Sequence, residues 1–223
     1  MSHQPVIRLT GLVPVARGYE RVVYVDPTDP DRVIKVLVPD ADQGKGGRMR
    51  RAFARTFAGY RTYLIRKEYL EYLRLALCDP SGQAHLPITH MFGFVQTDIG
   101  LGCSSQFVRD PSGAPAPTWA SLCKGNDIAH DHRAAMTDFA RRMLDMNVRA
   151  SDLRARNIVL GHRGLQGEPG PLEAVLVDGF GDTHVIPIRS WSRWANTQAL
   201  HRRFVRLAKG GGLTWSRSDR TFI

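Results

Sequence analysis

The residues most able to do chemistry lie in two short stretches in the second half of the chain. Residues 151–157 read Ser-Asp-Leu-Arg-Ala-Arg-Asn, so Asp152 and Asn157 directly precede an apolar run. Residues 175–182 read Val-Leu-Val-Asp-Gly-Phe-Gly-Asp, so Asp178 ends an apolar strand and is followed by glycine. Carboxylate and amide oxygens suit a hard divalent cation, and glycine frees the backbone to place a carboxylate on it. The pattern predicts one acid that holds a hydroxyl group, and an amide and an acid that hold a metal.

Two further polar residues lie in apolar surroundings earlier in the chain. Lys35 is in the middle of the strand-like run Val-Ile-Lys-Val-Leu, and Glu68 lies on the helical stretch that follows. A strand lysine flanked by β-branched residues faces either solvent or a ligand, and Glu68 is a suitable partner for it. Glu71, one helical turn further on, is a rival for that role.

The periodicity of apolar residues indicates the elements that position these side chains. In the first half it predicts strands at 13–15, 21–25 and 32–38, a loop at 39–47, a helix at 49–77, and strands at 91–97 and 102–108. A Pro/Gly loop at 109–117 follows. The second half then has predicted helices at 119–124 and 130–146, short strands at 158–160 and 174–177, and a helix at 191–207 followed by a polar end. Strands with one helix, followed by helices with one hairpin, indicate an α+β fold rather than an alternating α/β fold.

Two helices carry apolar stripes that predict their buried faces. The stripe of the first consists of Tyr60, Tyr63, Leu64, Tyr69, Leu70, Leu73 and Leu77, and that of the second of Met136, Phe139, Ala140, Met143 and Leu144. We expect both stripes to face a core.

Composition limits the function classes. The chain has 223 residues, of which 43% are hydrophobic and 23% charged, which fits one globular domain or two small lobes. No run approaches the roughly 20 apolar residues of a spanning helix, and no signal-peptide pattern opens the sequence. The three cysteines form no C-x-x-C pair, which argues against a zinc cluster or a disulfide framework. We therefore expect a cytoplasmic protein.

The net charge of +10 is unevenly distributed. Basic residues are concentrated at 45–67, where there is no acidic residue, and at 189–220, where Asp219 is the single acid. Such patches bind phosphates, nucleic acid or an acidic protein partner, or they are simply solvated faces.

The polar features follow the order of the protein-kinase signature, which is Val-Ile-Lys-Val, a helix glutamate, Asp-Leu-x-x-x-Asn before a strand, and a strand followed by Asp-Gly-Phe. Residues 18–24, 26–31, 33–36 and 178–182 also resemble YrbL-type proteins, the bacterial "PhoP regulatory network" family, which is regarded as kinase-like. The resemblance runs from about residue 11 to residue 204. It implies a bilobal protein-kinase-like fold, with a small β-rich N-lobe containing one helix at 1–108, a hinge at 109–118, and a reduced, mostly helical C-lobe at 119–223.

The resemblance also implies a role for each site residue, with ATP and Mg²⁺ as cofactors. Lys35 would contact the ATP phosphates and Glu68 would hold it, with Gly18 in the phosphate-covering loop. Asp152 would act as the base for the acceptor hydroxyl, Asn157 and Asp178 would bind Mg²⁺, and adenine would stack against Phe107 and Val108. Phosphoryl transfer requires mainly positioning and charge neutralisation from the protein, which fits this set.

Several departures from the kinase pattern keep alternatives open. Ala150 and Ser151 replace the His-Arg pair that precedes the catalytic Asp of kinases, and the glycine-rich loop is incomplete. About 45 residues follow Asp178, too few for the full substrate-binding half of a protein kinase. The chain is therefore interpreted as a phosphotransferase of open acceptor (protein, small molecule or sugar). The alternatives are a pseudokinase, a binder of nucleic acid or an acidic partner, and a scaffold without a ligand.

Overall fold

The structure is a computed structural model that describes residues 5–18, 21–37, 58–78, 85–165, 168–182 and 192–223. The predicted loop at 39–47 and the predicted helix start at 49–57 lie outside these residues. The chain divides into two compact units, Met1–Ile65 with His90–Phe107, and Arg66–Thr89 with Val108–Ile223. The hinge and lobe limits inferred from the sequence stay a prediction.

The first unit contains a five-stranded antiparallel sheet. Its strands are β1 (Ala16–Arg17), β2 (Arg21–Asp26), β3 (Asp29–Leu37), β4 (Met91–Thr97) and β5 (Gly100–Gln106), in the order β1-β2-β3-β5-β4. The first strand begins after the predicted run at 13–15, because the backbone pairs with β2 through Ala16 and Arg17. Leu9, Ile34 and Val36 form a cluster of buried apolar side chains in this unit. The sheet and the helices confirm the mixed α+β class.

The second unit combines helices with a long β-hairpin. Its described elements are the part of α1 (Ala58–Leu77) from Arg66 onward, α2 (Trp119–Gly125), α3 (His130–Asp145), a 3₁₀ turn (Ala155–Asn157), β6 (Ile158–Leu165), β7 (Glu168–Leu176), α4 (Arg193–Gly210), β8 (Trp215–Ser216) and β9 (Thr221–Phe222). The strands β6 and β7 are longer than the predicted strands at 158–160 and 174–177, because pairing continues to Leu165 and Glu168.

Helix α3 buries the face that its periodicity predicts. Met136, Phe139, Ala140 and Met143 are fully buried, and Leu144 is 5% exposed. The helix N-terminus also follows a capping pattern, because the Ala129 N–H donates to His132 Nδ1 at 3.2 Å. The predicted stripe on α3 is confirmed.

The predicted apolar stripe on α1 is wrong at the three leucines that the structure describes, while Tyr69 is half-buried. Leu70, Leu73 and Leu77 are 59%, 48% and 80% exposed. The buried residues instead mix charged and apolar side chains, since Lys67, Glu68 and Glu71 are 9%, 3% and 3% exposed and Tyr72 and Leu75 are 9% and 3% exposed. Charged side chains are rarely buried without partners, so this face requires polar partners from other elements.

The end of the chain forms a hairpin that the polar sequence did not predict. Strands β8 and β9 pair antiparallel, and Phe222 is 4% exposed. The ring of Trp215 lies 4.9 Å from the rings of both Phe204 and Phe222. Trp119 donates its indole N–H to the Leu207 carbonyl at 3.0 Å. These aromatic contacts attach the hairpin to α4.

His201 gives this aromatic cluster a pH dependence. Burial, then the charges of Arg217 and Arg220, lower the pKa of His201, and Trp215 donates its indole N–H to His201 Nδ1 at 3.1 Å. A histidine with a lowered folded-state pKa contributes stability that is present above its unfolded pKa of about 6.5 and is lost as the pH falls through the folded-state value. We expect His201→Asn, which keeps an acceptor but does not titrate, to flatten the loss of stability between about pH 7 and pH 5.

Urea unfolding of both proteins across this range measures the difference. The same pH slope in wild type and variant would show that His201 does not contribute to it.

Along the part of the chain that the structure describes, no helix is both long and apolar enough to cross a membrane.

Candidate functional site

The loop after α3 carries Asp152 and is held at its start by α4. Asn147 adopts a left-handed conformation with φ of 49°, which asparagine tolerates better than most residues. The Asn196 side chain is 1% exposed, and its Nδ2 donates to Asn147 Oδ1 at 2.9 Å and to the Val148 carbonyl at 3.1 Å. A buried amide with satisfied hydrogen bonds fixes this turn.

Asp152 and Asn157 contact each other directly. Asn157 Nδ2 donates to the Asp152 carbonyl at 2.9 Å and to Asp152 Oδ2 at 3.1 Å. The other carboxylate oxygen, Oδ1, lies 2.5 Å from Arg154 Nε. The amide oxygen of Asn157 accepts no hydrogen bond from any residue in the described ranges, which suits a metal ligand.

The strand that ends in Asp178 returns to the same loop. The Val177 N–H donates to the Asn157 carbonyl at 2.9 Å, and the Asp152 N–H donates to the Gly179 carbonyl at 3.0 Å. The Gly179 N–H donates to Asp178 Oδ1 at 2.7 Å and makes a longer contact of 3.4 Å with Glu68 Oε1. The structure therefore brings together four of the predicted site residues, namely Glu68, Asp152, Asn157 and Asp178.

Glycine is required at position 179 by conformation and by space. Its φ is +81°, and a Cβ atom there would lie 2.7 Å from the Asp152 carbonyl oxygen and 3.1 Å from Asn157 Nδ2. Because the backbone passes so close to both residues, a side chain would push the two loops apart.

The Glu71 carboxylate accepts hydrogen bonds from arginine residues, whereas Glu68 contacts the loop after Asp178. Its carboxylate accepts from Arg74 Nη2 at 2.6 Å and Arg74 Nε at 3.1 Å, and from the Arg149 backbone N–H at 2.8 Å. Burial alone would lower the pKa of Arg74, but the hydrogen bond and charge of Glu71 outweigh it and raise that pKa. Glu68 contacts the Gly179 N–H, and its pairing with Lys35 stays a prediction.

Lys67 and Arg203 also reach the loop, and the sequence analysis missed both. Lys67 Nζ donates to Ser151 Oγ, and Arg203 Nη2 donates to the Ser151 carbonyl, each at 3.0 Å. No local sequence pattern marked either residue, because both contacts join positions far apart along the chain.

The remaining predicted site residues are distributed over both units. In the first unit, Lys35 is half-buried on β3 between Val23 and Cys103 in register, and the Gly18 N–H donates to the Arg21 carbonyl at 2.8 Å. Phe107 ends this unit and donates its N–H to the Asp31 carbonyl at 2.8 Å.

Val108 begins the next segment of the second unit and packs with Ala116 and Val175. The side chain of Val108 is therefore a core residue of that unit, and its predicted role against adenine stays untested.

The magnesium site inferred from the sequence stays a prediction. No group of three or more His, Cys, Asp or Glu that could hold a metal occurs in the described part of the chain. Mg²⁺ is commonly bound by one or two carboxylates together with water and substrate phosphates. Asn157 and Asp178 would supply such a partial set.

Comparison with known proteins gives the family. The family model described as "PhoP regulatory network protein YrbL" matches residues 7–211. The chain belongs to the YrbL family. It is similar to "Uncharacterized protein YrbL" of Escherichia coli strain K12, with 29% identity over 208 residues that cover 90% of this chain and 87% of the relative. The YrbL protein of Shigella flexneri gives the same identity and coverage.

Proposed function

We propose that this YrbL-family protein binds Mg-ATP and transfers the γ-phosphoryl group to a hydroxyl acceptor, with a protein-kinase-like fold. The observation that carries the proposal is the convergence of Asp152, Asn157 and Asp178 on one hydrogen-bonded loop pair, with Glu68 at its edge. These residues occur in the order and on the elements that the kinase signature requires. The family description names the PhoP regulatory network, and we propose the same setting for this chain.

Each residue would have a distinct role. Asp152 would accept the proton of the acceptor hydroxyl, and the Asn157 amide would hold the Asp152 carboxylate in place through Nδ2. Asn157 and Asp178 would hold Mg²⁺, which neutralises charge on the phosphates when it is bound. Lys35 would contact the phosphates, and Glu68 would orient it.

Replacing Asp152 by asparagine tests the catalytic part of this proposal. General-base catalysis contributes about 10²–10⁴-fold to rate, so we expect Asp152→Asn to lower Mg-dependent ATP turnover by about 10²-fold or more. Mg-ATP affinity should change little, because Asp152 is assigned to the acceptor and not to the nucleotide. ADP release, measured with a coupled assay, gives the turnover.

A pseudokinase gives a different result in the same assay. If the wild type binds Mg-ATP but turns it over no faster than Asp152→Asn does, the protein binds the nucleotide and the proposed phosphotransferase activity is wrong.

A second candidate function rests on α4. Arg202, Arg206 and Lys209 are exposed and lie three to four residues apart, which places them along one side of the helix. We propose this stripe as the alternative contact for nucleic acid or an acidic protein. Binding to duplex DNA that weakens steeply with salt would support it, and no binding at moderate salt would exclude nucleic acid.

A further inference from the structure

The carboxylate assigned as the base is flanked by exposed arginines. Arg154 Nε lies 2.5 Å from Asp152 Oδ1, and Arg156 Nη2 lies 3.8 Å from Asp152 Oδ2. The side chains of Arg154 and Arg156 are 59% and 65% exposed, whereas that of Asp152 is 32% exposed. Two guanidinium groups, both more exposed than the carboxylate, therefore lie beside the proposed base.

These guanidinium groups keep donors for a ligand. A guanidinium has five N–H donors in a planar fork, and Asp152 is the single ion-pair partner of Arg154 and Arg156 among the described residues. The fork matches the geometry of phosphate and carboxylate groups.

Further positive charge lies at the same loop. Lys67 and Arg203 contact the side chain and backbone of Ser151, the residue before Asp152. The Glu68 and Asp178 carboxylates contact the Gly179 N–H of the neighbouring loop, so they offset part of this charge. The exposed guanidinium groups of Arg154 and Arg156 would attract an anionic acceptor to this side of Asp152.

We infer that the acceptor is a small alcohol that carries an anionic group, phosphate or carboxylate, held by Arg154 and Arg156 beside Asp152. This inference rests on the proposed phosphotransferase function. In the reaction the acceptor oxygen forms a bond to the γ-phosphorus, and the bond from that phosphorus to the β,γ-bridging oxygen breaks. The electron pair of the broken bond leaves with ADP, and the hydroxyl proton passes to Asp152.

Ligand-observed NMR on the full chain tests the anion site without requiring turnover. The probes are glycerol 3-phosphate, glycerate and glycerol, which share a hydroxyl backbone and differ in charge. We expect one or both anions to bind and glycerol not to bind, with Arg156→Ala weakening anion binding about tenfold, equivalent to 1.4 kcal/mol. Arg141→Ala removes an exposed arginine of α3 that contacts the Asp219 carbonyl, and it should leave binding unchanged.

The two anions also identify the class of group, because a phosphate site prefers glycerol 3-phosphate and a carboxylate site prefers glycerate. Three results would overturn the inference. They are equal binding of glycerol and the anions, no binding of either anion at millimolar concentration in tenfold excess over the protein, and an Arg156→Ala variant that binds the anions like wild type.

A parallel thermal shift with Mg-ATP separates this inference from the proposed function. If the anions bind but Mg-ATP does not shift the melting temperature, the anion site is supported and the proposed phosphotransferase function is wrong. If Mg-ATP shifts the melting temperature but neither anion binds, the nucleotide site is supported and the inference of an anionic acceptor is wrong.

Discussion

Glu71→Ala should lower the free energy of unfolding by about 3 kcal/mol, near the lower end of the cost of breaking a buried ion pair. The Glu71 carboxylate is 2% exposed and binds Arg74 through two hydrogen bonds. Its loss would also leave the Arg149 backbone N–H without its acceptor. The cost stays near the lower end because the Arg74 and Arg149 side chains are 26% and 24% exposed and keep some contact with water.

Urea unfolding measures this effect, and Asp138→Ala supplies the matched control. Asp138 pairs with Arg142 at 2.7 Å but is 62% exposed, so its removal should cost no more than about 1 kcal/mol. Glu71→Gln, which keeps an acceptor for the Arg149 N–H, should fall between the two. Equal losses for Glu71→Ala and Asp138→Ala would contradict the role of Glu71 as a buried anchor of the loop that carries Asp152.

Gly179→Ala should be the second strongly destabilising change, and it should also impair the site. A left-handed conformation costs a non-glycine residue roughly 1–2 kcal/mol, and overpacking adds about 1–3 kcal/mol. The new Cβ would lie 2.7 Å from the Asp152 carbonyl oxygen and 2.8 Å from the Asp152 Cβ. Relief of these contacts requires movement of Asp152 or Asp178, so nucleotide affinity should fall together with stability.

Gly113→Ala isolates the conformational part of that cost. Gly113 has a φ of +86°, close to the +81° of Gly179, but a Cβ atom there meets nothing within 4 Å. The control should therefore lose only the dihedral term and keep its nucleotide affinity. Gly179→Ala with the stability of Gly113→Ala and unchanged affinity would show that the loops are not packed as described.

Local pattern predicted much of the fold where burial followed the ordinary rule of apolar residues inside. Helix α3 is the clearest case, because its apolar face is its buried face. The rule failed on part of α1, where Leu70 and Leu73 are exposed and Glu68 and Glu71 are buried together with Tyr72 and Leu75. Periodicity cannot show this inversion, because the partners that make burial of Glu71 favourable include Arg149, 78 positions away along the chain.

The same distinction applies to the site. Asp152, Asn157 and Asp178 were predicted because each lies in a recognisable local motif next to a strand. Lys67 and Arg203 were missed, because their contacts with Ser151 join residues 84 and 52 positions apart. The C-terminal hairpin was missed for a different reason, since its strands of two residues each are too short to show alternation.

The most direct test of the central claim is the melting temperature with and without Mg-ATP, for wild type and for Asp178→Ala. A ligand at about 100 times its dissociation constant adds roughly 2.7 kcal/mol of stability, which for a chain of this length is a shift of several degrees. We predict that wild type shifts with Mg-ATP but much less with ATP in EDTA, and that Asp178→Ala does not shift. If millimolar Mg-ATP leaves the wild-type melting temperature unchanged, or shifts both proteins equally, the proposed nucleotide site is contradicted.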